Sequence, residues 1–143
     1  MKLLPFIILI VLAMNSNAQT EIQNNIFGET LIPCCYEPMT GIYRDGYCTT
    51  NVQDRGVHVV CAIMTAEFLD FSKCGGNDLI TPIPQYNFPG LQPGDKWCLC
   101  ASRWYDAVKE GKAPKIVLEA TNEKVLDYIP MEVLVKYAYK KDH

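Results

Sequence analysis

The chain has 143 residues, with 13 basic against 16 acidic side chains and a formal charge of −3. Apart from Lys140-Lys141 the basic residues are scattered, so no cationic stripe is available to neutralise phosphates, and nucleic acid is excluded as a partner class. The length suits one domain with a core of its own, and no linker or low-complexity run divides it.

Met1-Lys2, the apolar run 3–14 and the small residues Ser16-Asn17-Ala18 read as a secretory signal peptide over residues 1–18, followed by a single cysteine-rich domain over 19–143. The run falls short of the roughly 20 apolar residues that a bilayer span needs, so no stable membrane anchor is expected after cleavage. Losing Lys2 with the leader takes the formal charge from −3 to −4. The expected location is secreted or periplasmic. All seven cysteines, Cys34, Cys35, Cys48, Cys61, Cys74, Cys98 and Cys100, lie beyond the leader, where disulfides are the default state. Seven is odd, so at least one thiol stays free, binds a metal or pairs with another chain.

Taken in order, residues 19–33 read as an exposed arm leading into a short extended piece. Cys34-Cys35 opens a turn-rich segment, and adjacent cysteines are too strained to bond each other. In Y-R-D-G-Y-C, residues 43–48, the Asp-Gly between two tyrosines is a hairpin-turn signal. V-H-V-V-C-A-I-M, residues 57–64, is a buried strand, after which Thr65 caps a helix that Gly75-Gly76 ends. Strand parity sets His58 and Cys61 on opposite faces. Residues 77–93 contain three prolines, with a fourth at their end, and read as a long irregular stretch packed down by Leu79, Ile80, Phe88 and Leu91. Next comes P-G-D-K-W-C-L-C-A-S-R-W: a turn, a strand with Cys98 and Cys100 on one face, and a helix capped by Ser102 and stopped by Gly111. Residues 115–120 alternate as a strand, Thr121 caps a helix to about residue 128, and Pro130 precedes an amphipathic helix over 131–139. Three strand-cap-helix units and a C-terminal helix predict an α+β fold around a small sheet, with a three-layer α/β sheet as the alternative.

Three functions fit these residues. The first is a binding module for a small molecule or protein, with Tyr43, Trp97 and Trp104 as walls and Arg44, Asp45, Asn77, Asp78 and Arg103 as polar contacts. The second is a soft-metal site for zinc or copper(I), built on Cys98 and Cys100 with Cys48, Cys61 or His58. The third is a thiol-dependent enzyme or redox protein. In that case Cys100, just ahead of a helix N-terminus with Arg103 one turn away, is the reactive thiol and His58 its base.

The pieces P-C-C-Y-E-P-M-T-G-I-Y-R-D-G-Y-C, G-V-H-V-V-C-A-I-M-T-A-E-F-L-D-F-S, G-N-D-L-I-T-P-I-P, F-P-G-L-Q-P-G-D-K-W-C-L-C-A-S-R-W and V-L-E-A-T closely resemble a bacterial family, domain of unknown function family 2237. The resemblance runs from about Ile26 to Ala138 and brings no activity with it. It sorts the cysteines: Cys34, Cys48, Cys61, Cys98 and Cys100 match the family pattern, and Cys35 and Cys74 are additions. It therefore implies a Cys35–Cys74 disulfide as an added staple, and that the shared five are more than a secretory disulfide framework. Two departures stand out, Asn122 and Tyr137, where the family pattern often carries histidine.

Overall fold

A computed structural model describes residues 21–142. The expected signal peptide falls outside the described residues. Two strands, β1 (His58–Ile63) and β2 (Lys96–Cys100), pair antiparallel at the centre of an α+β fold. Valine and isoleucine suit β1 to a pleated, buried site, and its four middle residues, Val59 to Ala62, are all buried. The first helix, α1 (Ala66–Cys74), starts as expected at Thr65, whose hydroxyl accepts a bond from the Phe68 N–H at 3.0 Å. The second, α2 (Ala101–Lys109), follows β2 without a break, so its N-cap is Cys100 rather than the expected Ser102. The last, α3 (Met131–Lys136), is shorter than the periodicity predicts, because the chain beyond it turns back to bridge Ile116 through Ala138.

Among the described residues the sheet has two strands, not three, and the three-layer alternative does not form. The segment expected as the third strand does run beside β1. It donates from Val117 N–H to the Cys61 carbonyl and accepts from Ile63 N–H at Lys115, but these bonds make only a single bridge, Ile116 to Ala62, before the chain enters a 3₁₀ turn over Leu118–Ala120. The helix expected after it is a 3₁₀ stretch, Glu123–Asp127, capped by Asn122 in place of Thr121. Thr121 instead ties that segment to β1, its hydroxyl donating to the Val117 carbonyl and accepting from Cys61 N–H. A lone two-stranded ribbon is marginal in water. Here it is covered on one side by α1, α2 and α3, whose Phe68, Leu69, Trp104, Ala107 and Leu134 join the core with Val60, Ala62 and Leu99.

On the other face the cysteines form a separate buried cluster. Cys34 bonds Cys61, and Cys48 bonds Cys98. Cys61 and Cys98 stand opposite each other across the ribbon, so the two disulfides pin residues 34–48, a segment without regular structure, to adjacent positions on β1 and β2. The expected Cys35–Cys74 staple is not formed, and both thiols are free, with Cys74 exposed at the end of α1. Pairing went to the cysteines that the sheet places on one inward face, which Cys74 at a helix end cannot share. The Asp45-Gly46 turn joins no pair of strands. It is an Asp-turn, with Tyr47 N–H donating to the Asp45 carboxylate.

Candidate functional site

Free thiol and imidazole meet at a defect in the ribbon. His58 is the register partner of Cys100, but the next pair is Val60 with Leu99, so Val59 is an extra residue on β1. Such a bulge shifts side-chain parity by one. It moves His58 from the face that simple alternation assigns to the face of Cys61, Cys98 and Cys100. The turn into β1 is unusual as well. Val57 has φ of 49°, a left-handed conformation that a β-branched residue rarely adopts, and it is held there by Val57 N–H to the Asp54 carbonyl and Ala101 N–H to the Val57 carbonyl.

That turn returns His58 to Asp54. The ring Nδ1 of His58 lies 2.6 Å from Asp54 Oδ1, and Asp54 Oδ2 accepts from His58 N–H and from the Thr50 hydroxyl, each at 2.9 Å. The Asp54 side chain is only 3% exposed and that of His58 38%. Burial pushes the Asp54 carboxyl up, but the bonds from the His58 backbone and ring and from Thr50 outweigh it and hold it below the usual range. His58 is raised to about 9, first by the neighbouring Cys100, against the opposing effect of burial, and then by Asp54. Gly56 leaves room for the pair. A methyl group there would stand 2.5 Å from His58 Cε1 and 3.1 Å from Cys100 Sγ. Cys100, His58 and Asp54 thus form a thiol, imidazole and carboxylate in sequence.

His58 also lines a cleft of about 730 Å³, together with Tyr43, Arg44, Asn77, Asp78 and Trp97 from the expected binding set. Phe88 meets Trp97 edge-on at 5.3 Å between ring centres, and the Arg44 guanidinium lies over the Trp97 ring at 4.9 Å. Arg44 donates to the carbonyls of Gly41 and Tyr86. Asp78 accepts from the Thr81 hydroxyl and from the N–H groups of Thr81 and Ile80, bonds that bring it down to about 2. The other three expected contacts lie elsewhere. Asp45 is occupied by its own turn. Arg103 donates to the Gly75 carbonyl, tying α2 to the end of α1. Trp104 is wholly buried in the core, its indole N–H on the Pro114 carbonyl. Its position in α2 turns it away from the cleft, because helical spacing sets it with Ala101 and Ala107.

The expected metal set divides in the same way. The sulfurs of Cys34, Cys48 and Cys61 lie within 4.8 Å of one another, yet Cys48, Cys61 and Cys98 are all in disulfides and are not thiolates as they stand. That leaves Cys100 and His58, too few for a closed zinc or copper(I) site. Asn122, one of the two departures, is buried and serves the structure. Its amide donates to Gln23 Oε1 and the Cys48 carbonyl while its oxygen caps Lys124 N–H. Tyr137, the other, packs edge-on against Trp104. Asp54 was missed from sequence. Its signal was D-x-G before a strand, a loop that folds the chain sharply enough to bring an Asp back to a residue four positions on.

Fold and site together define a small α+β domain, fastened by two disulfides, with a free thiol beside an imidazole–carboxylate pair. The chain belongs to the family described as an uncharacterized protein conserved in bacteria, DUF2237, whose model matches residues 24–138. No curated protein matches it. Among the described residues no helix is long and apolar enough to cross a membrane.

Proposed function

We propose that the protein is an exported thiol enzyme acting on a small molecule, with Cys100 as nucleophile, His58 as its proton partner and Asp54 as the group that orients His58. The observation that carries this reading is the alignment of Cys100, His58 and Asp54 across the bulge, with the carboxylate shielded and the ring partly open to solvent. A thiolate beside an imidazolium attacks electrophilic carbon, and acyl transfer is the reaction class this set suits best. The sulfur forms a bond to the acyl carbon as the carbonyl electron pair moves onto oxygen. Collapse then expels the leaving group with the proton from His58. Water, giving a proton to the now neutral ring, opens the thioester, and the sulfur departs as thiolate facing imidazolium again. Ala101 N–H is engaged by the Val57 carbonyl, so the next N–H groups at the uncapped start of α2, those of Ser102 and Arg103, are the donors for the transient oxyanion.

The broader expectation of a binding module is contained in this reading, since the cleft that His58 lines supplies a pocket next to Cys100, which does not line it. Alkylation tests it. With limiting iodoacetamide at pH 7, mass mapping should find Cys100 modified at least about tenfold faster than exposed Cys74, and His58→Gln should remove that difference while leaving Cys74 unchanged. Cys100 reacting no faster than Cys74 would refute the assignment.

A further inference from the structure

We propose that Arg44 anchors a carboxylate on the substrate of Cys100, so that the cleft takes organic acids whose electrophilic carbon lies several atoms from a single carboxylate. This rests on the reading of Cys100 as nucleophile; Cys100 does not itself line the cleft and is reached through His58, its register partner, which does. Arg44 forms no ion pair among the described residues, although it sits half-buried in the cleft that His58 also lines. Two carbonyls and the Trp97 face hold its guanidinium in place, and its Nε is shut off from water without a hydrogen-bond partner. An unpaired guanidinium is costly to keep, and a carboxylate in the cleft would meet the Nη1 and Nη2 hydrogens left over from the two carbonyl bonds, Nε itself being closed to solvent.

The backbone points the same way. Arg44 has φ of 51°, in the region that favours glycine, so its position is imposed by the surrounding turn rather than by its own preference. Because the side chain is already ordered, little rotamer freedom is lost when an anion arrives. Asp78, the acid in the same cleft, faces Thr81 and Ile80 and does not compensate Arg44. One guanidinium sharing a cleft with one carboxylate suits a monoanion better than a phosphate dianion. The edge-to-face pair Phe88 and Trp97, which lines the same cleft as Arg44 and His58, supplies an apolar wall for the carbon chain.

The test uses the intact exported protein and two reagents of different length, N-iodoacetylglycine and N-iodoacetyl-6-aminohexanoate, each compared with its neutral primary amide. Rates are read by mass mapping at Cys100, with Cys74 as internal control. At one of the two lengths the acid should outpace its amide by about tenfold at Cys100 relative to the same ratio at Cys74. Arg44→Gln should abolish that preference, and Arg44→Lys should retain part of it. Equal ratios at the two cysteines, or a preference that survives Arg44→Gln, would overturn the proposal. Binding is read separately from tryptophan fluorescence, to which Trp97 in the cleft and buried Trp104 both contribute. Hexanoate should change it saturably in wild type, and neither hexanamide nor the Arg44→Gln variant should respond. A hexanoate response with an unreactive Cys100 would remove the nucleophile and keep the anion site; no response would remove the anion site.

Discussion

Replacing Cys100 by serine should lower the His58 pKa from about 9 to within about one unit of its ordinary 6.5. Cys100 is the largest influence on the ring, and a serine hydroxyl in its place carries no charge to hold the imidazolium. What remains is the attraction of Asp54 against the opposing effect of burial. At pH 7.5 a ring titrating at about 9 is about 97% imidazolium, and one titrating at 6.5 is about 9%. Proton NMR of the ring signals measures this directly, because the sequence has two histidines and His58→Gln assigns them. A wild-type His58 titrating near 6.5, or one unmoved by Cys100→Ser, would refute the pairing of thiol and imidazole. The sign carries over to stability. His58 has a folded pKa above its unfolded one, so its contribution is fully present below pH 6.5 and is lost as pH rises through about 9. The stability gap between wild type and His58→Gln should close over that window.

Other expectations follow from the packing. Gly56→Ala should separate His58 from Cys100, slowing Cys100 alkylation without slowing that of Cys74, because the added methyl would overlap the ring and crowd the sulfur. Intact mass of the native chain should show two disulfides and three alkylatable thiols, those of Cys35, Cys74 and Cys100. Removing a disulfide should cost about 3.5 kcal/mol for the 27-residue separation and about 4 kcal/mol for the 50-residue one, measured by denaturant unfolding. The two losses should not add, because the loops overlap. Trp104→Ala should cost about 3–5 kcal/mol of stability in the same assay, as expected for a wholly buried core residue.

The strands, α1 with its Thr65 cap, and the packed-down proline segment were legible because local chemistry specifies them. Of the four residues expected to pack it down, Phe88 and Leu91 are buried and Leu79 is partly buried, whereas Ile80 is exposed. The third strand and the chain beyond it were harder to read. The alternation over residues 115–120 is real, but whether it makes a ladder depends on what lies beside it. There the neighbours are Ala62, Ala138 and a buried Thr121 hydroxyl. Five of the eight expected binding residues converge on one cleft, whereas Arg103 and Trp104 were drawn in only by their closeness along the chain.

By itself the sequence determined an α+β chain rich in cysteine, with Cys98 and Cys100 on one face of a central strand and an odd thiol left over, since composition and period are local properties. Which thiol stays free was decided only in three dimensions, because disulfides follow proximity and the ribbon brings Cys61 and Cys98 within reach of Cys34 and Cys48. The same holds for the site. Strand parity set His58 away from the cysteines, and one inserted residue at Val59, supported by the strained turn at Val57, reversed that face. A bulge is a property of the paired strands, stabilised by contacts from distant parts of the chain, and no period read along one strand can contain it.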